Sequence, residues 1–242
     1  MVIDVLLPGF PGKADRGFLG WCNVLLLKTK GSMIVIDTGS HGDRPVLLGA
    51  LAAKGIEPQT IDMLLITHLH YDHCLNTDVF SHASIVVGAK EWEYANSDLP
   101  RINKDPFVPK TCLPYIASRR PRLVEEGFYL SEGMKIVELP GHTPGCIGLL
   151  CEQDGMLIAG DAVKNARDFF FDDPGMCFDS QTNGVASLKR AAMLAGRIFP
   201  GHDSQFSTVN GKIAKPQDPN VVITDFTEWE NRNGTAHILP RR

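Results

Sequence analysis

Thr67-His68-Leu69-His70-Tyr71-Asp72-His73 follows directly on the apolar run Met63-Leu64-Leu65-Ile66. The run has the length and composition of a buried strand, so the histidines fall where a strand ends and the chain turns toward solvent. In an extended segment residues i and i+2 point the same way, which puts His68 and His70 on one face. A helix beginning near Asp72 swings that carboxylate and His73 back toward the same point, with Asp72 favoured by the helix N-terminus. From the chain's content of His and Asp, a chance HxHxDH is expected in fewer than roughly one in a thousand such sequences.

Four candidate ligands in one turn need others to complete a metal shell, and three further strand ends supply them. Pro140-Gly141-His142-Thr143-Pro144-Gly145 follows the run Lys135–Leu139, Gly160-Asp161 follows Met156–Ala159, and Gly201-His202-Asp203 follows Ile198-Phe199-Pro200. Each offers one His or Asp beside glycine, which lets backbone approach closely. Five of the eight histidines stand at these positions, while His41, His82 and His237 lack the context and read as surface or packing residues.

Around these motifs the chain reads as short strands, Asn23–Lys28, Met33–Ile36, Ser84–Val87 and Ile147–Cys151 among them, with helices over Pro45–Lys54, Ala89–Asn96 and Gly184–Ala195. Strands followed by only some helices predict a layered α/β sandwich rather than a strictly alternating parallel fold. Ser97–Glu126 and Lys164–Asn183 read as long loops, and long loops in a compact domain are often functional, so substrate-contacting surface is expected there. From Ser207 onward the sequence reads as loop and terminal appendage, with the core over about 23–203 of a single 1–242 domain. Asn233-Gly234-Thr235 spells a glycosylation acceptor by chance.

The 242 residues are 43% hydrophobic and 21% charged with a net charge of -4, an ordinary globular balance that excludes a disordered chain. No basic excess points to nucleic acid, although a local patch (Arg101, Lys104, Lys110, Arg119, Arg120, Arg122) leaves that partner open. No apolar run is long enough for a membrane span, and the first residues lack the positive region of a signal peptide, so the expectation is a cytoplasmic protein with no membrane partner. Cys22, Cys74, Cys112, Cys146, Cys151 and Cys177 form no CxxC pair and read as small buried hydrophobes. A homo-oligomer stays open.

The ordered motifs resemble those of the metallo-β-lactamase superfamily from about Asn23 to Asp203. Ile36-Asp37-Thr38-Gly39 matches the first motif, His68-x-His70-x-Asp72-His73 the second, and His142, Asp161 and His202 the third to fifth. The resemblance implies an α/β fold of four layers, the αββα metallo-β-lactamase sandwich, with the active site at one edge. It implies that His68, His70 and His142 hold one metal, that Asp72, His73 and His202 hold the second, that Asp161 bridges, and that Asp37 orders the surrounding loops. Imidazole and carboxylate donors without thiolate suit two divalent ions, zinc first, with iron or manganese fitting the same cage. Two such ions share a hydroxide, and hydrolysis of a small-molecule ester, lactone or thioester is the expected reaction. Asp72 is expected to orient the nucleophile and carry its proton, and Lys164 to bind a substrate carboxylate or act as electrophile.

The chain is also similar to the family of metallo-β-lactamase domain-containing protein 1 and its bacterial relatives through Leu6–Phe10, Ile36–Gly39, Leu47–Ala52 and the stretch to Phe80. That family's link to nuclease activity keeps a metal-dependent nuclease or phosphodiesterase open. N-acyl homoserine lactonases share the bridging Asp and a Gly-His-Asp ending, but carry a tyrosine where this chain reads Ala162-Val163-Lys164. A mononuclear iron dioxygenase of the persulfide type, using His68, His142 and Asp161, is the third possibility.

Overall fold

The computed structural model describes residues 1–14, 17–18, 21–213 and 223–224. In chain order it begins with β1 (Val2–Leu7), the two-residue strands β2 (Lys13–Ala14) and β3 (Gly17–Phe18), β4 (Val24–Lys28) and β5 (Met33–Ile36). Helix α1 (Arg44–Ala53) leads to β6 (Met63–Ile66), α2 (Tyr71–Cys74) and β7 (Ser84–Gly88). Three helices follow, α3 (Ala89–Asn96), α4 (Leu99–Ile102) and α5 (Leu113–Ser118), then β8 (Arg122–Val124), β9 (Tyr129–Ser131) and β10 (Met134–Glu138). The remainder is β11 (Ile147–Cys151), β12 (Met156–Gly160), α6 (Ala166–Phe170), α7 (Gln181–Leu194), β13 (Arg197–Pro200), β14 (Phe206–Val209), β15 (Lys212–Ile213) and β16 (Ile223–Thr224).

Two large sheets result, one ordered β1-β4-β5-β6-β7-β8 and the other β15-β14-β13-β12-β11-β10-β9. Their central strands, such as β4, β11 and β12, are apolar on both faces because both faces are covered. Leu25, Leu27, Ile34, Ile36 and Leu65 of the first sheet pack against Ile136, Leu149, Met156 and Ile158 of the second. The alternate residues Leu26, Val35, Leu64 and Ile66 face outward onto Leu47 and Leu51 of α1, Tyr94 of α3 and Ile116 of α5. On the far side, Leu157, Ala159 and Ile198 meet Phe169 of α6 with Leu188 and Ala191 of α7. Period-two alternation thus separates three apolar layers, giving helix, sheet, sheet, helix.

Several expectations are corrected. Ser97–Glu126 is not a long loop: α4 and α5 each start with proline in the first turn, and both are too short to show helical periodicity. Lys164–Asn183 holds α6 and the first turn of α7, which are capped by Asn165 and Ser180 accepting from the Asp168 and Asn183 backbone N–H groups. Phe169 is core there, while Phe170 and Phe171 are exposed. Val2–Leu7 pairs with β4 as an unexpected edge strand, and β14 and β15 extend the second sheet where loop was expected after Ser207. Among the cysteines, Cys112 and Cys177 are half-buried rather than buried. His41 and His82 are exposed as expected, whereas His237 and Asn233 lie outside the described residues. Among the described residues no helix is long and apolar enough to cross a membrane.

Candidate metal centre

Strands β5, β6 and β7 run parallel, as do β12 and β13, so the loops beyond their C-terminal ends gather on one rim. The two sheets are tied together at that rim. Ile147 N–H donates to Thr67 O at 3.0 Å, and Asn23 N–H to Gly201 O at 2.6 Å. The Asn23 amide also donates to Pro200 O and Asp203 O, both at 2.7 Å. His68, His70, Asp72 and His73 enter from β6 and α2, while His142, Asp161 and His202 enter from the ends of β10, β12 and β13.

The structure brings all these residues together. Their ligand atoms form the groups His68–His70–His142, His68–His73–Asp161 and Asp72–His73–His202, with the atoms of each group within 4.8 Å of one another. Asp161 stands between the outer groups. Its Oδ1 lies 3.3 Å from His73 Nε2 and 3.2 Å from His202 Nε2, and its Oδ2 lies 3.5 Å from His142 Nε2. Asp72 Oδ2 is 3.4 Å from His202 Nε2. Gly201 makes this convergence possible, since a Cβ there would sit 2.0 Å from Asp161 Oδ1.

The outward-facing ring nitrogens explain why the inward ones suit a metal. His73 Nδ1–H donates to Asp37 Oδ2 at 2.8 Å, His142 Nδ1–H to Met176 O at 2.8 Å, and His70 Nε2–H to Asp105 Oδ2 at 3.0 Å. Each outward proton leaves a bare nitrogen lone pair inside. His142 Nε2 and His70 Nδ1 then face each other at 2.9 Å, and two lone pairs at that distance call for a proton or a metal ion between them. His68 Nε2 is buried with no hydrogen-bond partner. An orphaned imidazole nitrogen, converging lone pairs and buried carboxylates fit divalent metal ions.

The electrostatics favour neutral donors at two of the imidazoles, while at His73 the surrounding carboxylates call for a positive charge. Burial holds the His68 and His142 imidazoles well below the usual histidine range, which keeps them neutral. Burial opposes charge on His73 too, but the Asp161, Asp37 and Asp72 carboxylates override it and raise that imidazole. Asp161 is held well below the carboxylate range despite burial by His202, Lys164 and His73. Asp37 adopts the left-handed region with φ 56°, sparsely populated for a residue with a Cβ, and accepts hydrogen bonds from the Thr67 N–H and hydroxyl at 2.8 Å each.

A cleft opens over the centre. Pro11, Tyr71, Phe107 and Met176 form an apolar wall, and Lys164 and Asn165 a polar one. Lys164 Nζ pairs with Asp161 Oδ2 at 3.0 Å. Met176, Lys164 and Asn165 come from one of the two expected substrate-contacting stretches and Phe107 from the other, whereas Phe169–Phe171 do not line the cleft. Of the basic residues in that second stretch, Lys110 donates to Ala95 O and Ser97 O, and Arg119 to the Tyr115 hydroxyl and Ala83 O, so both brace the fold.

Sequence reasoning missed Asp105 and Glu91. Glu91 is fully buried and accepts from Leu69 N–H at 2.8 Å and the Thr143 hydroxyl at 2.7 Å, joining the loops of His68–His70 and His142. Its place on α3, facing inward among apolar neighbours, was the available signal. Asp105 carried none, because its partner lies 35 residues away.

Residues 18–202 match the sequence profile of the metallo-beta-lactamase superfamily. Metallo-beta-lactamase domain-containing protein 1 of Xenopus laevis is 28% identical over 231 residues, covering 90% of this chain and 87% of that protein. An N-acyl homoserine lactonase of a Bacillus species is 25% identical over 215 residues, covering 76% and 80%. The solved structure of AidC, described as a dizinc quorum-quenching lactonase in complex with a product, superposes with a TM-score of 0.65 at 23% identity over 83% of this chain and 79% of that one.

Proposed function

The chain belongs to the metallo-β-lactamase superfamily, and from that premise we propose that it is a dinuclear metal-dependent hydrolase of a small ester, lactone or thioester. The observation that carries this reading is the presence of two outer donor groups with Asp161 between them. His68, His70 and His142 would hold one ion and Asp72, His73 and His202 the other, with Asp161 facing both. Zinc is the metal best matched to imidazole and carboxylate donors. Two zinc ions bound there would supply Lewis acidity and would lower the pKa of water toward neutrality.

The chain's own residues do the rest. Asp72 is the half-buried carboxylate of the set, with Oδ2 turned toward His202, and its carboxylate would orient the attacking water and take up its proton. Lys164 presents Nζ at the polar wall, where it would bind a substrate carboxylate or stabilise developing negative charge. Tyr71, Phe107 and Met176 would hold the apolar part of the substrate and keep water away from it. The similarity to lactonases supports a carbonyl substrate. A phosphodiester finds less support, since Lys110 and Arg119 of the basic stretch serve as internal struts. A single iron on His68, His142 and Asp161 would leave His70, Asp72, His73 and His202 without a role.

Elemental analysis of zinc-reconstituted protein, together with turnover of 4-nitrophenyl esters and lactones against bis(4-nitrophenyl) phosphate, tests this reading. The expected result is about two ions per chain and preferential carbonyl hydrolysis. Asp161→Ala should lose metal and activity together, and Asp72→Ala should lose turnover with only partial metal loss. Lys164→Ala should raise KM or lower kcat for a carboxylate-bearing substrate. About one tightly held iron per chain would overturn the hydrolase reading.

A further inference from the structure

We propose that Asp105 is a positioning residue that fixes His70 with Nδ1 toward the metal centre and ties the cleft wall bearing Phe107 to that ligand. The inference rests on His70 being a metal ligand, as read above. Asp105 lies in the connection between α4 and α5, and its side chain has no solvent exposure. Its oxygens accept from three groups: the Tyr94 hydroxyl at 2.9 Å and His70 Nε2–H at 3.0 Å on Oδ2, and Phe107 N–H at 2.9 Å on Oδ1. A carboxylate only accepts, so the proton between Asp105 and His70 belongs to Nε2, and Nδ1 is left bare beside His142 Nε2.

The same segment is anchored twice more. Tyr71 N–H donates to Phe107 O at 3.0 Å, and the Asn103 amide donates to Phe178 O at 2.7 Å. Phe107 and Phe178 each pack edge-on against the His70 ring, with centroids 5.6 Å away. Asp105 therefore links the orientation of the ligand to the placement of the wall, because it bonds both His70 Nε2 and Phe107 N–H.

Asp105→Asn discriminates sharply. If its amide oxygen stays toward His70, its NH2 group confronts the Phe107 N–H, donor against donor, and the wall loosens. If the amide is reversed, NH2 faces His70, which must move its proton to Nδ1 and give up the inward lone pair. The expected result is a loss of zinc affinity of roughly 10- to 100-fold for folded protein, read by chelator competition. In metal-free protein, 15N spectra of the neutral His70 ring should show Nε2–H in wild type and altered tautomer populations in the variant. A folded Asp105→Asn with wild-type zinc affinity and tautomer would overturn the proposal. If that variant does not fold, the wild-type spectrum decides alone, because a His70 proton on Nδ1 contradicts the assignment. Should wild type bind no zinc, the reading of the metal centre fails, while the tautomer still judges Asp105.

Discussion

Gly201 lacks a side chain at the one place where the Asp161 carboxylate needs the room. An alanine Cβ would stand 2.0 Å from Asp161 Oδ1 and 3.0 Å from the Gly160 backbone, so carboxylate or loop must shift. Gly201→Ala should cost about 1–3 kcal/mol of stability and lower metal content, checked by urea denaturation and elemental analysis. Glu91 gives a second prediction at this scale. Burial pushes its carboxyl up, against the opposing effect of the Leu69 N–H and Thr143 hydroxyl. With the folded value above the unfolded one, the native state holds that proton more tightly. Wild type therefore loses stability as pH rises from the unfolded value through the folded one. Glu91→Gln has no proton to lose, and its Nε2 can donate to the Thr143 hydroxyl. Its stability relative to wild type should climb across that window and then level off, as read by urea melts over a pH series; a flat difference would contradict it. The candidate ligand positions were legible in the sequence because histidines and carboxylates stand at strand ends beside glycines. Glu91 and Asp105 were not, since their partners are remote in sequence and each depends on burial.

At the level of elements, regular strands and longer helices were the most readable parts. Helix α3 spans Ala89–Asn96 as expected, and β5 spans Met33–Ile36. Helices α4 and α5 escaped because four and six residues do not complete a periodic pattern. Strand β1 escaped because it is an edge, with Val2 and Val5 exposed and Asp4 in its middle. That aspartate is what fastens the edge. Asp4 pairs with Lys28 of β4 at 3.0 Å and with Lys54 at the end of α1 at 3.1 Å. Hydrogen bonds from these two lysines lower its pKa. A depressed acid contributes stability that is present above the unfolded value and disappears as pH falls through the folded one. Asp4→Asn should cost no more than about 1 kcal/mol at neutral pH, since solvent screens the pair. The cost should vanish in acid and shrink in high salt, which thermal melts at several pH values and ionic strengths would reveal.

For the whole molecule, the two sheets meet through an apolar interior and, at one rim, through the polar centre. Ions bound there would stabilise the native state by mass action, by about 4 kcal/mol when ligand stands a thousandfold above Kd. Chelation should therefore lower the calorimetric midpoint of wild type and have a much smaller effect on His142→Ala, which lacks a donor from the second sheet. An equal drop in both would separate stability from the centre. The division of donors between the sheets has a last consequence. Residues 1–124 carry His68, His70, Asp72 and His73, and residues 125–242 carry His142, Asp161 and His202, so neither outer donor group is encoded by one half of the polypeptide. Made as separate fragments, each half would leave a cobalt solution pale, and the tint of coordinated cobalt would emerge only where the two leaves found each other, a visible dye for reassembly.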